Sequence, residues 1–531
     1  MEKRMVLALI LSLGILLGFQ FIYKQPAPAP SNIQEASVDQ GTVTNTIETE
    51  TPFGSSISEK TSSTAPEQET TISTNKFEIT FSDIGGAIKK WRMKEFEKGT
   101  GQEILIDGEQ PLNRPFAIQS SAFAGVAAKK HRGMQSNGTV EYTIEMPDQY
   151  ELSKKYTYGP DQEYILLELN IKNLSKEPKE LSYVLTGPAS VKESGAVQGR
   201  SFLTAVADIG EKLVKKNSAK GTWEQKGELE WVAIKNRYFA VILKPYDNPL
   251  SVYIQGEKQQ ELATFVGSRK RTIPPGGVFE TKYALYASPL DEKKLAAIGY
   301  GMEQLVDYGW FGGISKLLLN VLRFFHKWVH NWGVAIILLT VMINIITFPL
   351  TKKSFVSMQQ MKKVQPHMQK LKELHKDNPQ KLNKEMMELY KKYNVNPFGG
   401  CLPMLLQIPI FVALYQGLMA SVELKGAQFL WVKDLAAPDA APIPWDLPFI
   451  GNHINILPLL MIIMMFVQQK LSQGASMGMS AEQEKQQQLI MVLMPVFFGF
   501  LFYTMPSGLV LYWLVNTILM CGEQALMLKN D

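Results

Sequence analysis

The last two hundred residues alternate between apolar runs and polar joints, a pattern that few architectures tolerate. Five runs stand out, at roughly 332–350, 402–419, 454–467, 489–503 and 507–522. A sixth, Met5 to Tyr23, follows Lys3-Arg4 at the N-terminus. Backbone polar groups cannot stay unpaired in lipid, so such runs cross a bilayer as helices. The fold class expected is an α-helical polytopic membrane bundle of six transmembrane helices, five of them forming a core, plus an all-β periplasmic β-sandwich domain. Composition alone hides this. The 531 residues are 45% hydrophobic, with a mean hydropathy of −0.07, because the apolar residues are concentrated rather than numerous. The runs at 454–467 and 489–503 are short of the ~20 residues that a span needs. They would cover only ~21–23 Å at 1.5 Å per residue, so flanking residues extend them or the bilayer thins around them.

Charge gives the orientation. The chain carries a net charge of +5, and residues 351–398 hold eleven Lys against four acidic residues. A basic segment between apolar spans reads as a cytoplasmic loop. A nucleic-acid surface would need basic residues spread over a soluble face. With Lys3-Arg4 also inside, alternation puts 420–453 and the long polar domain outside. That domain has no Cys; Cys401 and Cys521 fall at or inside apolar runs, which excludes a disulfide framework.

The N-terminal run (1–24) fits an uncleaved signal-anchor better than a cleaved signal, because Pro30 follows the small-residue pattern Ala27-Pro28-Ala29. Residues 25–74 are rich in Pro, Ser, Thr, Glu and Gln and read as a flexible linker. From 75 to 295 the pattern becomes strand-like. Phe77-Ile79-Phe81 alternates, as does Tyr164 to Ile171; Trp231 to Leu243 and Phe279 to Tyr286 are apolar β-formers, and turn signals such as Pro274-Pro275-Gly276-Gly277 separate them. This predicts the periplasmic β-sandwich. Residues 300–330 predict an amphipathic interfacial helix, with Lys316, Asn320, Arg323, Lys327 and His330 on one stripe and Leu, Phe and Trp around it. His326 and His330 have metal-pair spacing, but no acidic or Cys partner lies nearby, so interfacial polar residues are the better reading. The core is expected over 331–525, with a cytoplasmic helical hairpin at 352–393.

Two features carry function. In the first core span Thr340, Asn344, Thr347 and Thr351 share one helix face, which points to a hydrated surface, since intramembrane Asn is costly unless it meets protein or water. Gln407 is a second amide at membrane depth. Gln416, nine residues on, lies on the opposite face. Tyr512, Trp513 and Asn516 fall within about one turn, as interface anchors or as a cavity wall. In the hairpin, Phe355, Met358, Met361, Val364, Met368, Leu371 and Leu374 repeat every three or four residues. The Asp377-Asn378-Pro379 break follows, and Leu382, Met386, Leu389 and Tyr393 resume the pattern. Two readings are compatible. The arms bury their own seam, and the Met-rich faces, with Met387 and the flanking Lys362 and Lys363, meet apolar partners, lipid headgroups or ribosomal RNA.

The stretches Phe348-Pro349-Leu350-Thr351, Asn396-Pro397-Phe398-Gly399-Gly400-Cys401-Leu402-Pro403, Gln407-Ile408-Pro409-Ile410-Phe411 and Pro506-Ser507-Gly508-Leu509-Val510-Leu511-Tyr512-Trp513 resemble the signature motifs of the YidC family of membrane protein insertases. That family includes the mitochondrial oxidase-assembly and chloroplast thylakoid insertases. The resemblance covers the whole chain in the Gram-negative arrangement. It implies a five-helix core enclosing a hydrophilic groove, open to the cytoplasm and sideways to lipid. Polar segments of nascent membrane proteins enter that groove, and their apolar segments slide out along its wall. It implies no cofactor, no metal, no catalytic residues and no enzymatic activity. The partners implied are nascent membrane proteins, the Sec translocon and its accessory subunits, the translating ribosome, targeting factors and membrane lipids, at the bacterial inner membrane. It places Thr340, Asn344, Thr347, Gln407, Tyr512, Trp513 and Asn516 at the groove, with Trp513 as an aromatic substrate contact. One position departs from the family, which usually carries a basic residue five positions before the Pro of Pro-Leu-Thr; here it is Asn344.

A small-solute transporter is the main alternative, but the sequence has neither the intramembrane charge pairs nor the repeats that reading needs. A membrane enzyme would need a convergent acid/base or metal set. No H-E-x-x-H, G-x-S-x-G or P-loop occurs, and Glu228 and Glu230 read as a solvated strand face.

Overall fold

A computed structural model describes residues 66–529, apart from 95–102, 111–112, 161, 193–201, 211, 218–220, 248, 250, 259–260, 376–377, 394–401, 448–450 and 474–480. The expected anchor at 1–24, most of the expected linker, Cys401 and the Asn396–Gly400 motif lie outside the described residues.

The β domain is built on a nine-stranded antiparallel sheet. Its strand order is Lys212–Asn217, Thr204–Ile209, Leu229–Lys235, Phe239–Pro245, Val278–Pro289, Tyr164–Asn173, Tyr150–Thr157, Thr139–Met146 and Arg132–Ser136. A five-stranded sheet, in the order Gly221–Lys226, Ser251–Lys258, Glu261–Gly267, Val184–Ala189 and Ile118–Gln119, packs on one face. Strand periodicity of two explains how the central strands serve both faces. Val232, Ile234, Val241 and Leu243 join the main core. Their neighbours Trp231, Ala233, Ala240 and Ile242 enter a second cluster with Leu290, Leu295, Met302 and Leu305. Buried on both faces, these strands read as continuous apolar runs rather than as alternation.

Three expectations change. Strand Glu69–Ser73 pairs with Phe77–Ser82, Glu69 opposite Ser82, so the folded domain begins before 75 and the linker ends before 69. This strand is polar except for buried Ile72, because an edge strand needs little apolar surface. Trp231 to Leu243 is two strands, not one: Asn236 Oδ1 accepts from the N–H groups of Tyr238 and Phe239 and turns the chain. The interfacial helix is shorter than 300–330. Met302–Leu305 is a single 3-10 turn, Gly309 takes φ 68°, and the helix runs only over Gly312–Val329.

Among the described residues eight α-helices follow this domain: α1 Glu292–Ile298, α2 Gly312–Val329, α3 Trp332–Leu374, α4 Pro379–Lys392, α5 Leu402–Ala420, α6 Ile456–Gln473, α7 Ala481–Tyr503 and α8 Ser507–Lys529. Helix α3 packs against α2, α5 and α8; α6 packs between α7 and α8. The span expected at 332–350 and the first hairpin arm are one continuous helix of 43 residues, which passes Pro349 and Pro366 and extends ~64 Å. Asn331 Oδ1 caps its start at Val334 N. Among the described residues two helices, Trp332–Met361 and Ser507–Leu528, are long and apolar enough to cross a membrane. Leu405–Ala420, Ile456–Leu471 and Val492–Tyr503 are shorter apolar stretches. Together these two long helices and three shorter stretches cover the five core runs, and the N-terminal run lies outside the described residues.

Candidate functional site

The polar residues singled out in α3 are each already bonded. Thr340 is fully buried and its hydroxyl donates to Ile336 O at 2.7 Å. Thr347 donates to Ile343 O at 2.9 Å, and Thr351 to Thr347 O at 3.2 Å. These are back-bonds one turn earlier on the same helix, so the threonines line the face without needing an outside partner. Asn344 behaves differently. Its Nδ2 donates to Thr340 O at 2.9 Å and, across the helix interface, to Asn516 Oδ1 at 2.9 Å. Asn516 in turn points Nδ2 at Met520 Sδ, 3.6 Å away. A second cross-link lies beside the first, where Gln407 Nε2 on α5 donates to the Tyr512 hydroxyl on α8 at 2.6 Å. Asn344, Asn516 and Tyr512 are all buried. The amides thus tie α3, α5 and α8 together.

Trp513 does not join them. One residue on from Tyr512, its ring faces α5 and α7: it lies 5.0 Å from Phe411 edge-on, 5.9 Å from Phe498 and 5.3 Å from Phe502. The expected Tyr512–Trp513–Asn516 cluster is therefore split between a polar and an aromatic side. Phe411, Phe498, Phe502 and Met520 escaped sequence reasoning, since each belongs to an apolar run and only tertiary packing selects it. Gln416 faces away, as its spacing requires, and its amide closes over Gly309.

The hairpin closes through polar contacts at its tip. His375 Nε2 lies 2.9 Å from Glu385 Oε2. His367 stacks on Tyr393 at 5.5 Å, with Nε2 3.2 Å from its hydroxyl. Phe355 and Val364 are buried, and Met358, Met361, Met368 and Met386 are half-buried. Lys363 and Met387 are exposed, and the Lys362 side chain lies outside the described residues. Leu374, expected in the seam, is 73% exposed, because helix α3 ends there and the chain turns away. Of the two histidines with metal-pair spacing, His326 stacks flat on Trp332 at 3.8 Å.

Sequence reasoning also missed an ionic joint between the β domain and the bundle. Arg323 of α2 meets Glu423 at 2.9 Å and Asp291 at 3.7 Å, while Lys316 meets Glu292 at 2.6 Å. Arg237, on the turn after Leu229–Lys235, donates from Nε to Met419 O at 2.9 Å. The other face of α2 leaves Leu317, Phe324 and Trp328 exposed, as is Trp310 just before the helix. Arg323→Ala is expected to release the Asp291 and Glu423 carboxylates, the charge-assisted hydrogen bond to Glu423 being worth ~1.5–3 kcal/mol. Hydrogen exchange of the full chain in nanodiscs should then rise about tenfold or more over 288–292 and 421–424. Unchanged exchange there would show that the joint is not holding the two parts.

This fold and site define a class: a helical membrane bundle joined to an extramembrane β-sandwich, with a neutral polar layer inside the bundle and no potential metal cluster among the described residues. Comparison with known proteins makes this specific. The family model for the YidC periplasmic domain matches residues 69–321, and that for the 60Kd inner membrane protein matches 324–531. The chain is similar to the membrane protein insertase YidC of Pelobacter propionicus, at 34% identity over 99% of this chain and 98% of the relative. It is also similar to that of Syntrophus aciditrophicus, at 32% over 99% of each. A crystal structure of an active YidC insertase with its first transmembrane domain resolved aligns at 18% identity and TM-score 0.37, over 86% of this chain and 92% of its own. An aldose 1-epimerase homologue from Escherichia coli aligns at 8% and TM-score 0.33, over 42% of this chain and all of its own. Scores this low carry no argument, and the family rests on the full-length relatives. The chain belongs to the YidC family of membrane protein insertases.

Proposed function

We propose that this chain inserts membrane proteins by receiving their polar segments, from the cytoplasmic side, at the layer formed by Asn344, Asn516, Gln407 and Tyr512, with Thr340 and Thr347 on the same face. The observation that carries the reading is the pair of cross-helix bonds, Asn344 to Asn516 and Gln407 to Tyr512. Amides are costly in lipid. Here they stand where three helices meet, a place suited to a polar polypeptide segment that would otherwise cross unpaired. Burial of the client's apolar helix drives the step, so no nucleotide or cofactor is required. The short apolar stretches of α5, α6 and α7 support a thinned bilayer beside the layer.

In this reading the chain has six spans, counting the N-terminal run, in the inner membrane. The β domain is periplasmic and the Lys-rich hairpin cytoplasmic, as the charge bias requires. The hairpin's Met faces and lysines receive the nascent chain, the translating ribosome and targeting factors, and meet lipid headgroups. The bundle works alone or beside the Sec translocon. A solute transporter finds no support in the full-length relatives.

The test is depletion of the protein in cells pulse-labelled for a small single-span client, with rescue by the wild type. Insertion should fall on depletion and return on rescue. Photocrosslinkers at Asn344 should capture the arrested client more strongly than those at Met342. Undiminished insertion after depletion removes the function, and capture at Met342 alone removes the placement.

A further inference from the structure

The bonded geometry of the polar layer determines which hydrogen-bonding capacity is left over. The Asn344 amide cannot be turned round, because Nδ2 faces the Thr340 carbonyl and a flip would set oxygen against oxygen. Both its N–H groups are thereby used, one on Thr340 O and one on Asn516 Oδ1. What remains on Asn344 is an acceptor oxygen. Gln407 spends one of its two Nε2 hydrogens on Tyr512 and keeps the other together with Oε1. Among the described residues no donor reaches either oxygen. Asn516 Oδ1 retains a second lone pair. The donors free or weakly held are the second Gln407 Nε2 hydrogen, the Asn516 Nδ2 group, which faces only a sulfur at 3.6 Å, and the Tyr512 hydroxyl proton. Free acceptor sites therefore outnumber free donors in the layer.

It is also neutral. No Asp, Glu, Lys or Arg occurs in 332–351, 402–420, 456–469, 492–503 or 507–522. Asn344 lies ~18 Å along α3 from Trp332, and Asn516 ~14 Å along α8 from Ser507. Both are near the middle of a hydrocarbon core ~30 Å thick. A carboxylate accepts hydrogen bonds and donates none. At this depth it would face more lone pairs than protons and no counter-charge. Hydroxyls, carboxamides and backbone N–H groups bring donors for the acceptors that are left over.

Resting on the insertase reading above, we infer that the layer is a selectivity filter against negative charge. Its clients are membrane proteins whose translocated segments are rich in Ser, Thr, Asn and Gln and poor in Asp and Glu, and Asn344 and Asn516 set that preference. An unpaired charge at mid-membrane disfavours partitioning about a hundredfold. A partly hydrated layer should retain roughly a tenfold discrimination.

The test uses purified full-length protein in liposomes with no imposed potential. Two single-span clients differ only in the translocated tail, one with Ser, Thr and Asn alone, the other with three of these changed to Asp. Yields are taken above protein-free liposomes. The wild type should insert the neutral tail about tenfold better than the acidic one. Asn344→Arg, or Asn516→Arg if the first variant does not fold, should cut that ratio at least threefold, while Asn344→Gln should leave it in place. Equal insertion of the two tails by the wild type overturns the proposal. So does an Arg variant that still inserts the neutral client and keeps the ratio. A wild type that inserts neither client overturns the insertase reading itself, an outcome distinct from the loss of selectivity.

Discussion

Trp513→Ala should destabilise the bundle by about 3–5 kcal/mol, the range for removing a large aromatic from a packed site. The ring sits among Phe411, Phe498 and Phe502 at centroid distances of 5.0–5.9 Å and joins α8 to α5 and α7. In lipid the loss comes from packing rather than from exclusion of water, because the bilayer is as apolar as the site. Trp513→Phe keeps an aromatic in the gap and should lose less than about 2 kcal/mol. Thermal unfolding of the full chain in detergent separates the two roles open to Trp513. If the alanine variant melts like the wild type yet loses client crosslinks, the residue is a substrate contact and not a structural wedge.

The second large effect is expected in the β domain. Lys154 is buried in the sheet and donates to Phe116 O at 2.6 Å, Gly85 O at 2.7 Å and Gly86 O at 3.5 Å. Gly85 and Gly86 both adopt positive φ, 76° and 53°, which turns their carbonyls toward the ammonium and favours glycine there. Burial lowers the Lys154 pKa to about 7. Lys154→Met fills the volume but strands the Phe116 and Gly85 carbonyls, while the Gly86 carbonyl keeps the Tyr156 hydroxyl, at ~1–3 kcal/mol for each left unpaired, or roughly 3–5 kcal/mol in all, the scale of breaking a buried polar pair. The size of this loss should depend on pH through His131. Burial first, then the Lys154 charge, lowers the His131 pKa to about 3. A histidine depressed in the fold contributes stability that is fully present above its unfolded value of ~6.5. That stability is lost as pH falls toward 3. Without Lys154 the depression is smaller and less is lost in acid. Below the Lys154 pKa of about 7 that lysine stays charged, so between pH 6 and pH 4 the difference between variant and wild type should shrink. A difference that grows on acidification would show that Lys154 does not act on His131.

Much of this was legible along the chain because it depends on local pattern. The period of two in Tyr164 to Ile171 fits a strand with one buried face, and the structure has Tyr164–Asn173 with alternate residues buried. The Asp377-Asn378-Pro379 break marks the hairpin turn, and Asn378 Oδ1 caps α4 at Lys381 N. The four motifs named the family, and the full-length relatives agree. The polar layer was legible in part. Spacing placed Thr340, Asn344 and Thr347 on one face and put Gln416 opposite Gln407, but it could not say what each would bond to.

The rest depended on contacts between residues far apart in sequence. Asn344 finds Asn516 172 positions away, and Gln407 finds Tyr512 105 positions away. Tyr512 and Trp513 are neighbours on a helix, yet ~100° apart around its axis, so one enters the polar layer and the other the aromatic cluster. Arg323 looks in sequence like one more cation on a wet stripe; tertiary structure brings Glu423 and Asp291 to it. The apolar runs, the lysine-rich loop and the motifs determined that this chain is a membrane bundle with an external β domain, and which family it belongs to, because hydrophobic period and charge act over a few residues. Which oxygens and protons remain free inside the bundle was decided only by how the helices pack, because a hydrogen bond is used up by whichever partner the fold brings within reach.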